Sequence, residues 1–396
     1  MKNIAVLSTT RAEYGLLYPL IKRLEDEEEF HVDVIISGTH LLEKYGKTIE
    51  YIEKDGIDIA YRVPIYHENF VSTEMEAIKS IAEGLNLFSE IFEKEHYEAV
   101  LVLGDRYELL SFCVAAMLFR IPIIHLHGGE ITEGAIDDKI RNSITKMASI
   151  HFPSLVSNAK RIIQMGENPG FVFAVGALGI DNIVNTSLMS KVELSKELQF
   201  INDKKIATVT FHPVTSEDKK SASVEMETVM SALLEADLYS VVTMPNSDAG
   251  GDEIYNAILR FVKKYPENFI LHKSLGQKRY LSLLSIADIM VGNSSSGIIE
   301  SASFKLPVVN IGDRQKGREA PDNVIHCNCN KKEILAAINK GLSQDFRAQL
   351  ENCINPYGDG KAAEKIVDIL KWIDLHDISL IKKKFHDLNE GNCYGR

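Results

Sequence analysis

Residues 121–138 read IPIIHLHGGEITEGAIDD. The first six are apolar enough to form a buried strand. Two histidines, three glycines and four acids lie within the fourteen positions 125–138. In a parallel α/β sheet, ligands bind at the carboxyl ends of strands. His125, His127, Glu130, Glu133, Asp137 and Asp138 therefore read in two ways. They are a group facing a ligand, or a solvated loop whose acids cap the next helix.

The surrounding chain repeats the strand-then-helix pattern. Strands are expected at 3–8, 31–37, 57–63, 98–104, 122–127, 149–154 and 171–176. A second series is expected at 205–211, 240–245, 268–273, 288–293 and 306–311. Amphipathic segments such as EYGLLYPLIKRLEDE and ELLSFCVAAMLFR lie between them. This alternation predicts parallel, doubly wound sheets. The polar stretch 185–204 separates the halves as a hinge, and the tail 361–388 reads as helices. Two similar halves predict an α/β protein of two Rossmann-like domains facing a cleft.

The chain has 396 residues, enough for two domains with large cores. Its net charge of −12 disfavours nucleic-acid binding, so an anionic ligand needs a local basic patch. Five cysteines without a C-x-x-C pair argue for a reducing compartment and against structural zinc. MKNIAVLS reads as a strand and not a signal peptide, and no apolar run has membrane-spanning length. A cytoplasmic protein without membrane attachment is expected. Neither half carries G-x-G-x-x-G after its first strand, and the P-loop motif is missing, which disfavours nicotinamide and triphosphatase chemistry.

Polar groups recur at one end of nearly every expected strand. They are Arg11; Gly104-Asp105-Arg106; Glu130, Asp137 and Asp138; His212-Pro213; Asn246; Ser294-Ser295-Ser296-Gly297 with Glu300; and Asp313, Arg314, Lys316 and Arg318. GNSSSG opening a helix suits an anion, since Gly297 and its neighbours let the backbone approach while serine hydroxyls donate; a plain serine cap is the other reading. Glu300 lies nearly two turns into that helix, where it could accept from ribose hydroxyls or face solvent. Arg11, Arg314, Lys316 and Arg318 offer positive charge for a diphosphate. Asp105, Glu130, Asp137, Asp138 and His212 suit proton abstraction and delivery. His125, His127 and Glu130 also read as metal ligands, the two histidines sharing a strand face. H-E-x-x-H is lacking and no third histidine is near, so no metal is expected.

TTRAEYG, LVLGDRYE, HLHGGEITEGAIDDKIRNSITKMA, FHPVT, MPNSDAGG, VGNSSSGIIES and NIGDRQKGR together resemble the hydrolysing UDP-N-acetylglucosamine 2-epimerases of bacterial sialic-acid and legionaminic-acid pathways. The likeness runs from about residue 3 to about residue 375. It implies a GT-B type fold: domains at 1–184 and 185–362, with helices of 363–396 crossing back onto the first. It implies no cofactor, a UDP-sugar as partner, and a homodimer or homotetramer. The implied reaction removes H2 of UDP-GlcNAc and expels UDP, leaving 2-acetamidoglucal; water then adds to give ManNAc. By the same likeness Arg11 lies on the phosphate side, His212 near the diphosphate, Ser294 and Ser295 on phosphate, and Glu300 on the ribose. Arg314 is the arginine of N-x-G-x-R, and Asp105 and Asp137 are the acids of the G-D-R and I-D-D motifs. One departure stands out: some members read E-G-G-E where this chain has His127-Gly-Gly-Glu130. Either His127 or Glu130 takes the first acid's role, or the role is dispensable.

Three competing functions remain. One is the same chemistry on UDP-N,N′-diacetylbacillosamine. Another is a non-hydrolysing epimerase, whose usual G-T-R-P-E is replaced here by Thr9-Thr10-Arg11-Ala12-Glu13. The third is a GT-B glycosyltransferase, which needs an acceptor site but no acid cluster.

Overall fold

The computed structural model describes residues 1–67, 70–71, 73–132, 136–200, 204–213, 219–244, 251–273 and 275–388. The chain divides into two compact units, 1–182 with 357–396 and 183–356. Each is built on a six-stranded parallel sheet.

In the first unit the strands are Lys2–Ser8 (β1), Phe30–Ser37 (β2), Ile59–Val63 (β3), Ala99–Leu103 (β4), Ile123–Leu126 (β5) and Ile150–Phe152 (β6). Their order is β3-β2-β1-β4-β5-β6, with every pairing parallel. Helices cover both faces, so the central strands are apolar on both sides. Ile4 and Val6 pack on one face with Leu17, Leu20 and Ile21 of the helix Arg11–Glu25. Ala5 and Leu7 pack on the other with Phe88 and Phe112 of the helices Glu74–Lys94 and Glu108–Leu118.

The helix Ala362–Trp372 buries Ile366, Val367 and Leu370 in the first of these clusters. Its ends explain why it stays there. The Asp181 carboxylate accepts from the Ala362 and Ala363 amides at 2.9 and 2.7 Å, satisfying donors that the helix itself cannot. At the other end Lys2 Nζ donates to the carbonyls of Leu370, Lys371 and Ile373 at 2.6–2.8 Å. An anion thus meets the positive end of the helix dipole and a cation the negative end. Beyond this helix the described residues of the tail, to 388, hold a 3-10 turn, Ile378–Leu380, and no further α-helix.

The second unit contains Ile206–Thr210 (β7), Tyr239–Thr243 (β8), Phe269–His272 (β9), Ile289–Gly292 (β10), Val308–Ile311 (β11) and Val324–Cys327 (β12). Their order, β12-β11-β10-β7-β8-β9, repeats that of the first sheet. The stretch 185–204 is not a bare linker. Ser190 and Glu193 form a capping box that starts the helix Lys191–Glu197, and Leu194, Leu198 and Phe200 are buried with Ile206, Tyr239 and Val241.

Two strand expectations need correction. Residues 171–176 form no strand; Val172 makes an isolated bridge to His151. Phe173 and Val175 donate to the carbonyls of His151 and Pro153, but Pro153 has no N–H to return and the ladder stops. Conversely β12, a short and partly exposed edge strand, was not anticipated. No helix among the described residues is long and apolar enough to cross a membrane.

Candidate active site

In a doubly wound sheet the ligand crevice opens where the strand order reverses, outside the carboxyl ends of the two flanking strands. In the first unit those strands are β1 and β4, and in the second β7 and β10. The segments leaving them are Thr9–Arg11 and Gly104–Arg106, then Phe211–Pro213 and Asn293–Ser295. Both sets were nominated from the sequence.

At the first switch point the organising side chain is one that the sequence reading passed over. Arg141, on the helix Ile136–Met147, is buried to 4% exposure. Its guanidinium donates to Asp105 Oδ2, to Asp138 Oδ1 at 3.2 Å, to the Glu130 carbonyl at 2.8 Å and to Thr132 Oγ1 at 3.0 Å. A buried cation is costly unless it is paired and hydrogen-bonded. This one is paired with two nominated acids. The Thr132 amide also donates to Asp138 Oδ1 at 3.1 Å, tying the loop to the helix start. Asp137 is exposed at its outer edge, yet local burial raises its carboxyl above the ordinary value and the like charge of Asp105 adds to the effect. Glu133 lies outside the described residues.

The two histidines of HLHGGE do different work. His125 is fully buried on β5. Its Nε2 meets the Gly104 carbonyl at 2.8 Å and its Nδ1 meets Thr145 Oγ1 at 3.2 Å. Burial pushes its imidazole down to about 3, so it is a neutral core group with both nitrogens engaged. His127 follows the end of β5 at φ 60°, which breaks the strand alternation; the shared-face expectation for the pair fails here. Gly129 turns the chain again at φ 73°, where a Cβ would lie 2.5 Å from the Asn158 carbonyl oxygen. The Leu178 amide donates to His127 Nε2 at 3.5 Å, which leaves the proton on Nδ1, 3.4 Å from Glu130 Oε1. Ser154 Oγ donates to the same Glu130 oxygen at 3.0 Å. The two candidates for the departed acid are therefore one contacting pair.

Arg11 begins its helix exposed, its guanidinium 4.8 Å from the Tyr51 ring centroid. Glu13 holds the turn before it: Oε2 accepts from the Thr9 amide at 2.8 Å, Thr9 Oγ1 at 2.5 Å and the Thr10 amide at 3.0 Å. Glu13 Oε1 is buried without a partner among the described residues. Burial outweighs the Thr9 donors and raises this carboxyl to about 7. Arg106 pairs with buried Glu108, which also accepts from Tyr66 at 2.6 Å.

In the second unit Asn293 is the organiser. It is fully buried and exchanges bonds with the His212 backbone, accepting from the amide at 2.7 Å and donating to the carbonyl at 2.9 Å. Its own carbonyl accepts from Arg314 Nη1 at 3.2 Å and Gln315 Nε2 at 2.9 Å. Gly292, at φ 147°, brings β10 so near β7 that a Cβ would sit 2.0 Å from the Thr210 oxygen. One buried asparagine thus holds His212 through its side-chain amide and Arg314 through its backbone carbonyl, at the start of the serine run.

The serine helix differs from expectation. It spans only Ser296–Ile299, and Glu300 is its C-cap residue instead of lying inside it. Ser295 stands at the N-cap but makes no capping bond, while Ser294 Oγ accepts from the Ser296 amide at 3.4 Å. The missing side chain of Gly297 serves helix–sheet packing: a Cβ there would come within 3.0 Å of Val308 Cγ1. Tyr280 donates to Ser296 Oγ at 2.6 Å, and Ser296 donates to Glu300 Oε2. Burial raises the Glu300 carboxyl. Tyr280 was missed; nothing in its helix, GQKRYLSLLSI, sets it apart from a core tyrosine. Asn246 lies outside the described residues.

The family model described as UDP-N-acetylglucosamine 2-epimerase matches residues 22–371. A Legionella pneumophila protein named UDP-N,N′-diacetylbacillosamine 2-epimerase (hydrolyzing) is 37% identical, covering 96% of this chain and 99% of its own. A Campylobacter jejuni protein named GDP/UDP-N,N′-diacetylbacillosamine 2-epimerase (hydrolyzing) is 38% identical, covering 98% and 99%. Among solved structures, UDP-GlcNAc 2-epimerase from Neisseria meningitidis bound to UDP-GlcNAc superposes with a TM-score of 0.75 at 18% identity, over 94% of this chain and 100% of that one. The chain belongs to the UDP-N-acetylglucosamine 2-epimerase family.

Proposed function

We propose that this enzyme is a hydrolysing 2-epimerase of a UDP-2-acetamido sugar, with UDP-GlcNAc as the substrate of the first reading. One observation carries it: Asp105, Asp137 and Asp138 gather with the His127–Glu130 pair at the carboxyl ends of β4 and β5. Epimerisation at C2 needs proton removal on one face and proton delivery on the other, so a single acid is not enough. Asp137, its carboxyl raised by burial and by the like charge of Asp105, is the acid assigned to hold or move such a proton.

The reaction balances as elimination then hydration. A base takes H2, the C1–O bond breaks, and UDP leaves with the bonding pair, giving the 2-acetamidoglucal. Water places hydroxyl on C1 and a proton from an enzyme acid enters C2 on the opposite face. Free 2-epimerised sugar and UDP result. An unactivated C–H is hard to deprotonate, so stabilisation of the departing diphosphate must share the load. Ser294, Ser295 and Arg314, with Arg11 and Glu300, are assigned to UDP, and His212 to its leaving oxygen.

A second reading keeps the mechanism and changes the sugar. The relatives at 37 and 38% identity carry diacetylbacillosamine in their names, which favours UDP-N,N′-diacetylbacillosamine. Incubation with each UDP-sugar, followed by NMR of the products, tests both. Free 2-epimerised sugar with UDP supports hydrolysing epimerisation, and the sugar with the higher kcat/KM is the substrate. A product still linked to UDP refutes hydrolysis.

A further inference from the structure

Arg141 is the most committed cation at the first switch point. Its side chain is 5% exposed and reaches three separate pieces of chain. Asp105 follows β4, Glu130 and Thr132 belong to the loop after β5, and Asp138 lies one helical turn before Arg141 itself. A guanidinium can do this because its donors form a planar fork; a lysine ammonium is a point charge on a flexible stem and cannot hold the same set in one plane. Asn142 Nδ2 touches the other Asp138 oxygen at 3.4 Å, so that carboxylate is held from both sides. Asp137, on the same turn of helix, makes no hydrogen bond to the guanidinium. The arrangement separates two oriented acids from one that is not bound to the fork.

We infer that Arg141 is a positioning residue for the epimerisation: its guanidinium fixes Asp105 and Asp138 against the β5 loop and so sets the geometry in which the sugar's C2 proton is exchanged. The inference rests on the proposed function. It assigns to Arg141 neither contact with UDP nor a proton-transfer step. A misplacement of about 1 Å at a reacting centre costs on the order of 100-fold in rate.

The test uses the full-length enzyme with Arg141→Ala and Arg141→Lys. Both variants are expected to lose about 100-fold in kcat while KM and UDP affinity stay within a few-fold. Hydration of added 2-acetamidoglucal should fall with kcat, because the same acids serve both half-reactions. Methylguanidinium at millimolar concentration should restore about ten-fold or more to Arg141→Ala and nothing to Asp105→Asn. A role in folding alone predicts no such rescue. Should Arg141→Ala not fold, Arg141→Lys keeps a buried cation and carries the test. Wild-type kcat in the lysine variant would overturn the inference, as would parallel loss of UDP binding or failure of rescue in a folded alanine variant. These outcomes leave the proposed function standing if the wild type still releases free sugar. A wild type that exchanges no C2 hydrogen and releases no sugar removes both.

Discussion

The two sheets share one strand order, yet their switch points carry opposite chemistry. At the ends of β4 and β5 the side chains are carboxylates gathered around one buried arginine. At the ends of β7 and β10 they are serines and an arginine gathered around one buried asparagine. The repeated topology settles where groups converge, because it opens a crevice at the same place in any doubly wound sheet. It does not settle what they do. A negative cluster repels a diphosphate and suits the neutral, proton-exchanging sugar. A neutral amide with hydroxyls and a guanidinium suits the diphosphate. The organisers differ for the same reason. Acids need a cation between them to lie close together, whereas Asn293 holds the His212 backbone with a neutral side-chain amide and Arg314 with its backbone carbonyl.

Substitutions at the two switch points should give opposite losses. Asp105→Asn should lower turnover by about 1,000-fold or more while UDP binding, read by titration calorimetry, stays within a few-fold. An equal loss of UDP affinity would move Asp105 out of the sugar chemistry. Ser294→Ala and Arg314→Ala should do the reverse, each weakening UDP by about 1.5–3 kcal/mol for a lost charge-assisted bond. Unchanged UDP titrations in both would end the assignment of the second unit to the nucleotide.

Smaller effects follow from the buried acids of the first unit. Glu13 has its carboxyl raised from 4.5 to about 7. Below the lower value it is neutral in both folded and unfolded chains. Between the two the unfolded chain ionises first, so folding stability declines as pH rises from about 4.5 to about 7, by about 3 kcal/mol from this group. Urea melts across that window should show Glu13→Gln lacking this share of the decline; identical slopes in the two proteins would refute it. Asp181→Ala should cost about 1 kcal/mol, read as a lower Tm, because it uncaps the helix Ala362–Trp372. An unchanged Tm would mean that apolar packing alone holds that helix.

Most strands of both sheets were legible because parallel strands covered on both faces appear as continuous apolar runs, such as VIIS in β2 and AVLVL in β4. The failures are specific. Residues 171–176 carry strand-like side chains, but the partner position is Pro153, and no pattern within 171–176 reveals that. β12 is an edge strand with no fully buried residue, so it lacks the continuous apolar run that marks the other short strands. Asp105, Asp137 and Asp138 could be picked out because they follow strand ends. Arg141 could not: in IDDKIRNSITKM it looks like any cation on a helix face. The available signal was its spacing, i+3 from Asp138 beside the buried Ile140 and Ile144. Asn293 stood inside a motif already quoted, but attention to the serines hid the buried amide that orders them.

If acids of the first unit exchange the C2 proton of a UDP-2-acetamido sugar through a glycal, solvent supplies the new C2 hydrogen. The most direct measurement is the reaction in D2O, with the released sugar read by NMR. One deuteron at C2 in every product molecule, together with hydration of added 2-acetamidoglucal to the same sugar, is the predicted result. Free sugar that keeps the substrate's own C2 hydrogen would contradict the account and return the acid cluster to helix capping.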